Sequence, residues 1–172
     1  YLTTGNLDQA EASYREAIAL EPGLVGPYIN LADLYRRQGR EEEGEQVLLE
    51  ALDRYPDLAA VNYALGLLKV RRGETGASLE YLEKAARLEP GDPQYSYVYA
   101  IGLNSQQRRQ QALEVLKEAQ QRHPYDRDIL YSLATISMET GQDQQALGYA
   151  KMLVEAYPEN PDYQQLLSIL SN

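Results

Sequence analysis

The sequence predicts an all-α solenoid of stacked helix-turn-helix hairpins, and three columns of residues predict it. Pro22, Pro56, Pro90, Pro124 and Pro158 stand 34 residues apart without a slip. Gly5, Gly39, Gly73 and Gly141 keep the same beat, as do Ala17, Ala51, Ala85 and Ala119. A 34-residue period is that of a helix-turn-helix unit, each copy of which buries its apolar face against the next.

The elements follow in chain order. First helices are expected near 26–38, 59–72, 93–106 and 127–140, and second helices near 8–20, 42–54, 76–88, 110–122 and 144–156. The spaced prolines end the second helices, because a residue before proline is pushed out of the α region. Asp92-Pro93 and Asn160-Pro161 each supply an N-cap followed by proline at the first helical position. Glu50/Arg54, Glu80/Lys84 and Glu83/Arg87 are i,i+4 pairs expected on exposed faces. Residues 161–172 begin another first helix, in which Leu166, Leu167, Ile169 and Leu170 point to more than one face. It is more apolar than an ideal cap, so it either covers the preceding repeat incompletely or is followed by further chain.

With each proline taken as position 32, the chain resembles the tetratricopeptide repeat. The second repeat carries the pattern most fully, with Tyr28, Leu31, Ala32, Tyr35, Gly39, Gly44, Leu48, Ala51 and Pro56. Leu65, Gly66, Gly73, Ser78, Leu82 and Ala85 continue it, then Ala100, Ala112, Leu116 and Ala119, then Leu133, Ala134, Gly141 and Ala146. The resemblance implies a right-handed α-solenoid in one array over 1–172: a truncated repeat at 1–24, full repeats at 25–58, 59–92, 93–126 and 127–160, and a terminal helix at 161–172. Tyr1, Leu2 and Gly5 align with Tyr35, Arg36 and Gly39, so the chain is expected to begin ten residues into a repeat, as a piece of something longer. Three departures stand out. Gln107 replaces the turn glycine, which predicts a looser turn; Asn62 and Ser96 fill the slot of a large aromatic; Leu153 replaces a small residue.

Composition narrows the function classes. The chain has no Cys, Trp or Phe and fifteen Tyr, so tyrosine makes every aromatic contact, a role suited to half-wet positions. Net charge is −10, with 8 acidic and 4 basic residues over 25–58 but 3 acidic and 4 basic over 93–126. Nucleic acid is not an expected partner, because phosphate binding needs a basic stripe. The basic pairs Arg36-Arg37 and Arg71-Arg72 sit at helix ends, where cations complement the dipole. No apolar run has membrane-spanning length, so membrane insertion is not expected. The absence of cysteine leaves the compartment open between bacterial cytoplasm and periplasm.

Catalysis would need a nucleophile with its base, a metal cluster or paired carboxylates, and the sequence brings none together. His123, the one histidine, precedes Pro124 at the end of a second helix. Glu41, Glu42, Glu43 and Glu45 open a helix, where consecutive side chains diverge instead of converging on one ion. No enzyme activity, cofactor or metal is expected.

The repeat resemblance places first helices on the concave wall. Positions 2, 5, 9 and 12 share one face, because 3-4-3 spacing follows a helical stripe. Position 5 reads Ile29, Tyr63, Tyr97, Tyr131; position 9 reads Asp33, Leu67, Ile101, Thr135; position 12 reads Arg36, Val70, Asn104, Met138. With Asn30, these define the candidate partner-binding groove: polar at one end, apolar and aromatic in its middle. An apolar stripe of that kind either marks an interaction surface or, as the repeat resemblance implies for tyrosine at position 5, supports the neighbouring helices. The primary reading is a scaffold that binds a peptide or helical segment of a partner protein. Relatives that grip a C-terminal carboxylate place Lys or Arg at positions 2 and 6. Here those positions read Ala60/Ala64, Gln94/Val98 and Asp128/Ser132, which argues against such a clamp.

The alternative reading is a structural spacer or self-association module of a larger protein, with homodimerisation through the truncated N-terminal end. Tyr97-Val98-Tyr99-Ala100, Tyr125-Asp126-Arg127-Asp128 and Ala146-Leu147-Gly148-Tyr149-Ala150 are loosely similar to repeats appended to bacterial multihaem cytochromes c. That similarity implies a redox or periplasmic context. No Cys-x-x-Cys-His occurs here, so any haem would lie elsewhere.

Overall fold

Ten α-helices make up the described residues 4–171 of the computed structural model, with no strand among them. First helices are α2 (Val25–Arg37), α4 (Ala59–Arg71), α6 (Pro93–Ser105), α8 (Arg127–Glu139) and α10 (Pro161–Leu170). Second helices are α1 (Thr4–Leu20), α3 (Glu41–Arg54), α5 (Thr75–Leu88), α7 (Arg109–Arg122) and α9 (Asp143–Ala156). Apart from α1, each expected boundary agrees to within about two residues of the punctuation that set it. Helix α1 starts earlier than expected, so Gly5 lies in a helix and not in a turn. The alignment of Tyr1 and Leu2 lies outside the described residues. Contacts divide the chain into two compact units, 1–89 and 90–172.

The turn inside each full hairpin is one motif made four times. The amide after the turn residue reaches back to the helix carbonyl five residues earlier: Arg40 to Tyr35 (2.8 Å), Glu74 to Lys69 (2.9 Å), Arg108 to Leu103 (3.0 Å) and Gln142 to Ser137 (2.8 Å). This six-to-one bond is the Schellman closure, and it requires a left-handed residue just past the helix. Gly39, Gly73 and Gly141 supply φ values of 73°, 72° and 71°. Gln107 adopts φ 60° in the same place and keeps the same bonds. The looser turn expected at Gln107 is therefore not found. The hairpin imposes its geometry, and Gln107 bears a strain that glycine would avoid.

A second joint recurs where one repeat passes to the next. The Tyr28 hydroxyl donates to the Pro22 carbonyl at 3.1 Å. Asn62, in the same slot one repeat on, donates to the Pro56 carbonyl at 3.4 Å and to Leu58 at 2.9 Å; Gln164 donates to Pro158 at 2.6 Å. In these three repeats the slot carries a donor that reaches the proline carbonyl, the fully buried Asn62 amide included, whereas Leu130 fills the same slot with a buried apolar side chain. Lys84 also departs from expectation: it does not hold Glu80 but reaches across to Pro56 O at 2.7 Å, with Asp57 at 4.0 Å. The Glu50–Arg54 pair forms at 3.1 Å.

In the amino-terminal unit Tyr28, Leu31, Tyr35, Leu48, Ala51 and Leu65 pack into one core joining α2, α3 and α4. Helix α4 contacts α2, α3 and α5 and is apolar on more than one face to match. Gly66 is needed where α4 meets α5, because a Cβ there would lie 2.7 Å from Leu82. An ionic latch ties α1 to the following hairpin. The Tyr35 hydroxyl donates to Glu11 Oε1 at 2.6 Å, Arg40 donates to Glu11 Oε2 at 2.9 Å, and the Arg40 guanidinium lies 4.3 Å from the Tyr35 ring centre. The Tyr35 hydrogen bond, with Arg40 and Arg15 beside it, holds the Glu11 carboxyl down at about 2.

In the carboxy-terminal unit Leu130, Ala134, Ala150, Leu153, Tyr163 and Leu166 form a core in which α10 closes over α8 and α9. Leu153, at a position of the repeat usually held by a small residue, is fully buried there. Three N-caps order the first helices: Asp92 accepts from Gln94 N, Asn160 from Asp162 N, and Asp126 from both Asp128 N and Ile129 N.

Candidate functional site

The sequence singled out a stripe on the first helices, and each unit presents its own part of it. On α2, Asn30 and Arg36 are exposed and Asp33 is half-buried. Asp33 is held by Arg36 at 2.6 Å and Arg37 at 2.7 Å. Burial pushes the Asp33 carboxyl up, but the two guanidiniums outweigh it and set it below its ordinary range. The Asp33 charge is thus neutralised within its own helix. On α4, Tyr63 and Leu67 are half-buried and Val70 is exposed. Arg71 and Arg72 are likewise engaged, with Glu41 and Glu45 of α3, so neither pair stands as a bare basic patch.

On α6, Tyr97 and Asn104 are half-buried and Ile101 is exposed. Burial raises the Tyr97 hydroxyl above its ordinary value. The Asn104 Oδ1 is buried without a hydrogen-bond partner. On α8, Tyr131 is 43% exposed and Met138 37%, while Thr135 is half-buried with its hydroxyl bonded back to Tyr131 O at 3.0 Å. None of these side chains is sealed beneath backbone.

The stripe becomes a cleft where α8 faces α10. A cavity of about 520 Å³ lies there. Asp128, Tyr131, Thr135 and Met138 form one wall; Asn160, Asp162, Tyr163, Gln165, Leu166 and Ile169 form the other. The Tyr131 and Tyr163 rings stand 6.0 Å apart at 43°, and Tyr157 meets Tyr163 edge-on at 6.0 Å and 67°. These aromatic pairs form the floor of the cleft. Ile169 is 57% exposed at the far end.

The whole α10 wall escaped the sequence reading, and Asp128, at position 2 of the same face, was weighed only against a carboxylate clamp. The signal was present, since Asp162, Gln165 and Ile169 stand 34 residues after Asp128, Tyr131 and Thr135. The repeat register had only to be carried past Pro158.

A smaller cavity of about 230 Å³ lies among Arg15, Ile18, Leu31, Val47 and Arg54 in the amino-terminal unit. Among the described residues no group of His, Cys, Asp or Glu could hold a metal ion. His123 caps α7, half-buried. The Glu41–Glu45 run is spent on ion pairs, Glu41 and Glu45 with Arg72 and Glu43 with Arg40. No helix is long and apolar enough to cross a membrane among the described residues.

Comparison with known proteins agrees with this architecture. Residues 1–68 and 103–170 match one tetratricopeptide-repeat family model, and residues 63–126 match a second. No curated protein matches the sequence. Among solved structures, MamA is similar at 20% identity and a TM-score of 0.74, over 91% of this chain and 92% of that one. YrrB, described as a TPR protein with an unusual peptide-binding site, is similar at 19% identity and a TM-score of 0.71, over 95% and 85%. The pilF protein of Pseudomonas aeruginosa is similar at 22% identity and a TM-score of 0.69, over 95% and 68%. At these identities the likeness is one of fold.

Proposed function

Because the chain belongs to the tetratricopeptide-repeat family, we propose that it is a non-catalytic scaffold whose first-helix stripe binds a peptide or helical segment of a partner protein. The repeat fold supports protein interaction in general terms. One observation carries the finer reading: on α8 and α10 the residues at equivalent repeat positions line an open cleft with an aromatic floor and an apolar end. Such a concave, partly apolar surface with a few polar groups is the form a binding site takes, and exposed tyrosines serve as anchors at low entropic cost. The peptide-binding site described for YrrB lies on the same kind of fold.

The test uses peptides selected on the full chain from a random heptapeptide library, with affinities then measured by fluorescence anisotropy. The Tyr131→Ala/Met138→Ala variant is expected to bind them at least about tenfold more weakly, as loss of an interface anchor dictates, with helical circular dichroism unchanged. Tyr97→Ala/Ile101→Ala tests the α6 part of the stripe in the same way. Selection of no peptide, or equal affinity for wild type and both variants, refutes the reading.

A further inference from the structure

The α8–α10 cleft is chemically polarised along its length. At one end stand the carboxylates of Asp128 and Asp162 in the first turns of α8 and α10; at the other stand Met138 and Ile169. No Lys or Arg lines it. Residues 127–172 carry six carboxylates against two cations, and one of those cations, Arg127, donates to Asp128 at 3.2 Å beside this end.

Helix dipoles alone would favour carboxylates in these turns. Here, however, both helix starts are already capped, by Asp126 and Asn160. The Asp162 carboxylate makes no ion pair among the described residues. Asp128 has only an exposed contact with its neighbour Arg127 at 3.2 Å, a class of pair worth little. At the mouth of the aromatic-floored cleft one carboxylate, Asp162, thus stands without an ion pair among the described residues, and the other, Asp128, holds only an exposed one that an incoming cation can replace.

Resting on the binding reading above, we infer that the occupant of this cleft is a short peptide segment bearing a Lys or Arg at one end and an aliphatic or aromatic side chain at the other. The cation sits between Asp128 and Asp162 beside the Tyr131 and Tyr163 rings, where carboxylates and aromatic faces both attract it. The apolar side chain covers Met138 and Ile169. From residue 128 to residue 138 a helix runs about 15 Å, the span of about four or five extended residues. The two anchors are thus about four residues apart, and their difference fixes the direction in which the segment lies.

The heptapeptide selection reads this directly. Peptides selected on the wild-type chain are expected to be enriched in Lys or Arg about four residues from Leu, Ile or Phe. Selection on Asp128→Asn/Asp162→Asn should keep the apolar preference and lose the basic one. A wild-type-selected basic peptide should bind that variant about fivefold to tenfold more weakly and with a shallower salt dependence, as loss of interfacial charge complementarity dictates. Apolar peptides without a basic preference, or a basic preference that survives the double substitution, overturn this inference and leave the groove reading standing. Failure to select any peptide overturns both.

Discussion

Replacing Gln107 by glycine should stabilise the protein, and the four-fold repetition of one turn allows the effect to be worked out. Gln107 sits at φ 60°, where Gly39, Gly73 and Gly141 sit at 71–73°. A residue with a Cβ in that region costs about 1–2 kcal/mol. Glycine removes the strain but makes the unfolded chain freer, which returns about 0.4–1 kcal/mol. The variant also loses the exposed contact between the Gln107 carboxamide and Arg109, of a class worth a few tenths of a kcal/mol. The expected net gain is about 0.5 kcal/mol, or about 1–4 °C in melting temperature depending on how much of the chain melts together. Thermal and urea unfolding followed by circular dichroism measure it. Gly141→Ala is the reciprocal control and should destabilise by about 1 kcal/mol or more, because it puts a Cβ into the same left-handed turn. A lowered midpoint for Gln107→Gly, or a neutral Gly141→Ala, would refute the argument that turn geometry is imposed on Gln107.

Other outcomes follow from contacts already described. Glu11 is held at about 2 against 4.5 for a free carboxyl, so its contribution is complete above pH 4.5 and is lost as pH falls toward 2. Full conversion of that shift is about 3 kcal/mol; Glu11 lies near solvent, and screening leaves about 1 kcal/mol. Glu11→Gln should remove this part of the acid-side slope in urea titrations. Gly148→Ala should stabilise α9 by up to about 1 kcal/mol, since its Cβ meets open space. Gly66→Ala should instead destabilise by about 1 kcal/mol, overpacking against buried Leu82 outweighing the better helix propensity. Asn62→Ala should cost about 1–2 kcal/mol in chemical unfolding, because it strips a buried amide from the Pro56 joint.

The hairpins were legible because proline and glycine act on the backbone locally, and their columns fix helix ends whatever the side chains do. The caps at Asp92 and Asn160 were legible for the same reason. Long-range side-chain choices were not. Nothing in the spacing of Glu80 and Lys84 tells that Lys84 has a better acceptor in Pro56 of the previous repeat. The Glu11–Arg40 latch spans 29 positions and depends on Tyr35 presenting both a hydroxyl and a ring face. Gln107 looked like a broken turn because propensity is local, whereas the hydrogen bonds that hold it belong to the whole hairpin. Half of the cleft was missed for another reason: residues 161–172 read as a first helix, but Leu166, Leu167, Ile169 and Leu170 on more than one face mark it as a terminal cap and not as a groove wall.

Ion pairs are shared unequally along the chain. In the amino-terminal unit Glu45 clasps Lys69 and Arg72, Glu41 holds Arg71, and Glu11 holds Arg40, through side chains that all keep some access to solvent. In the carboxy-terminal unit the ion pairs among the described residues are the exposed Arg109–Glu139 and Arg127–Asp128, and α10 closes an apolar core over α8 and α9. Raising ionic strength weakens the first kind of cohesion and leaves the second nearly untouched. A molecule pulled in an optical trap should then rip at its amino-terminal hairpins at progressively lower force as salt is added, while the carboxy-terminal rip holds its force.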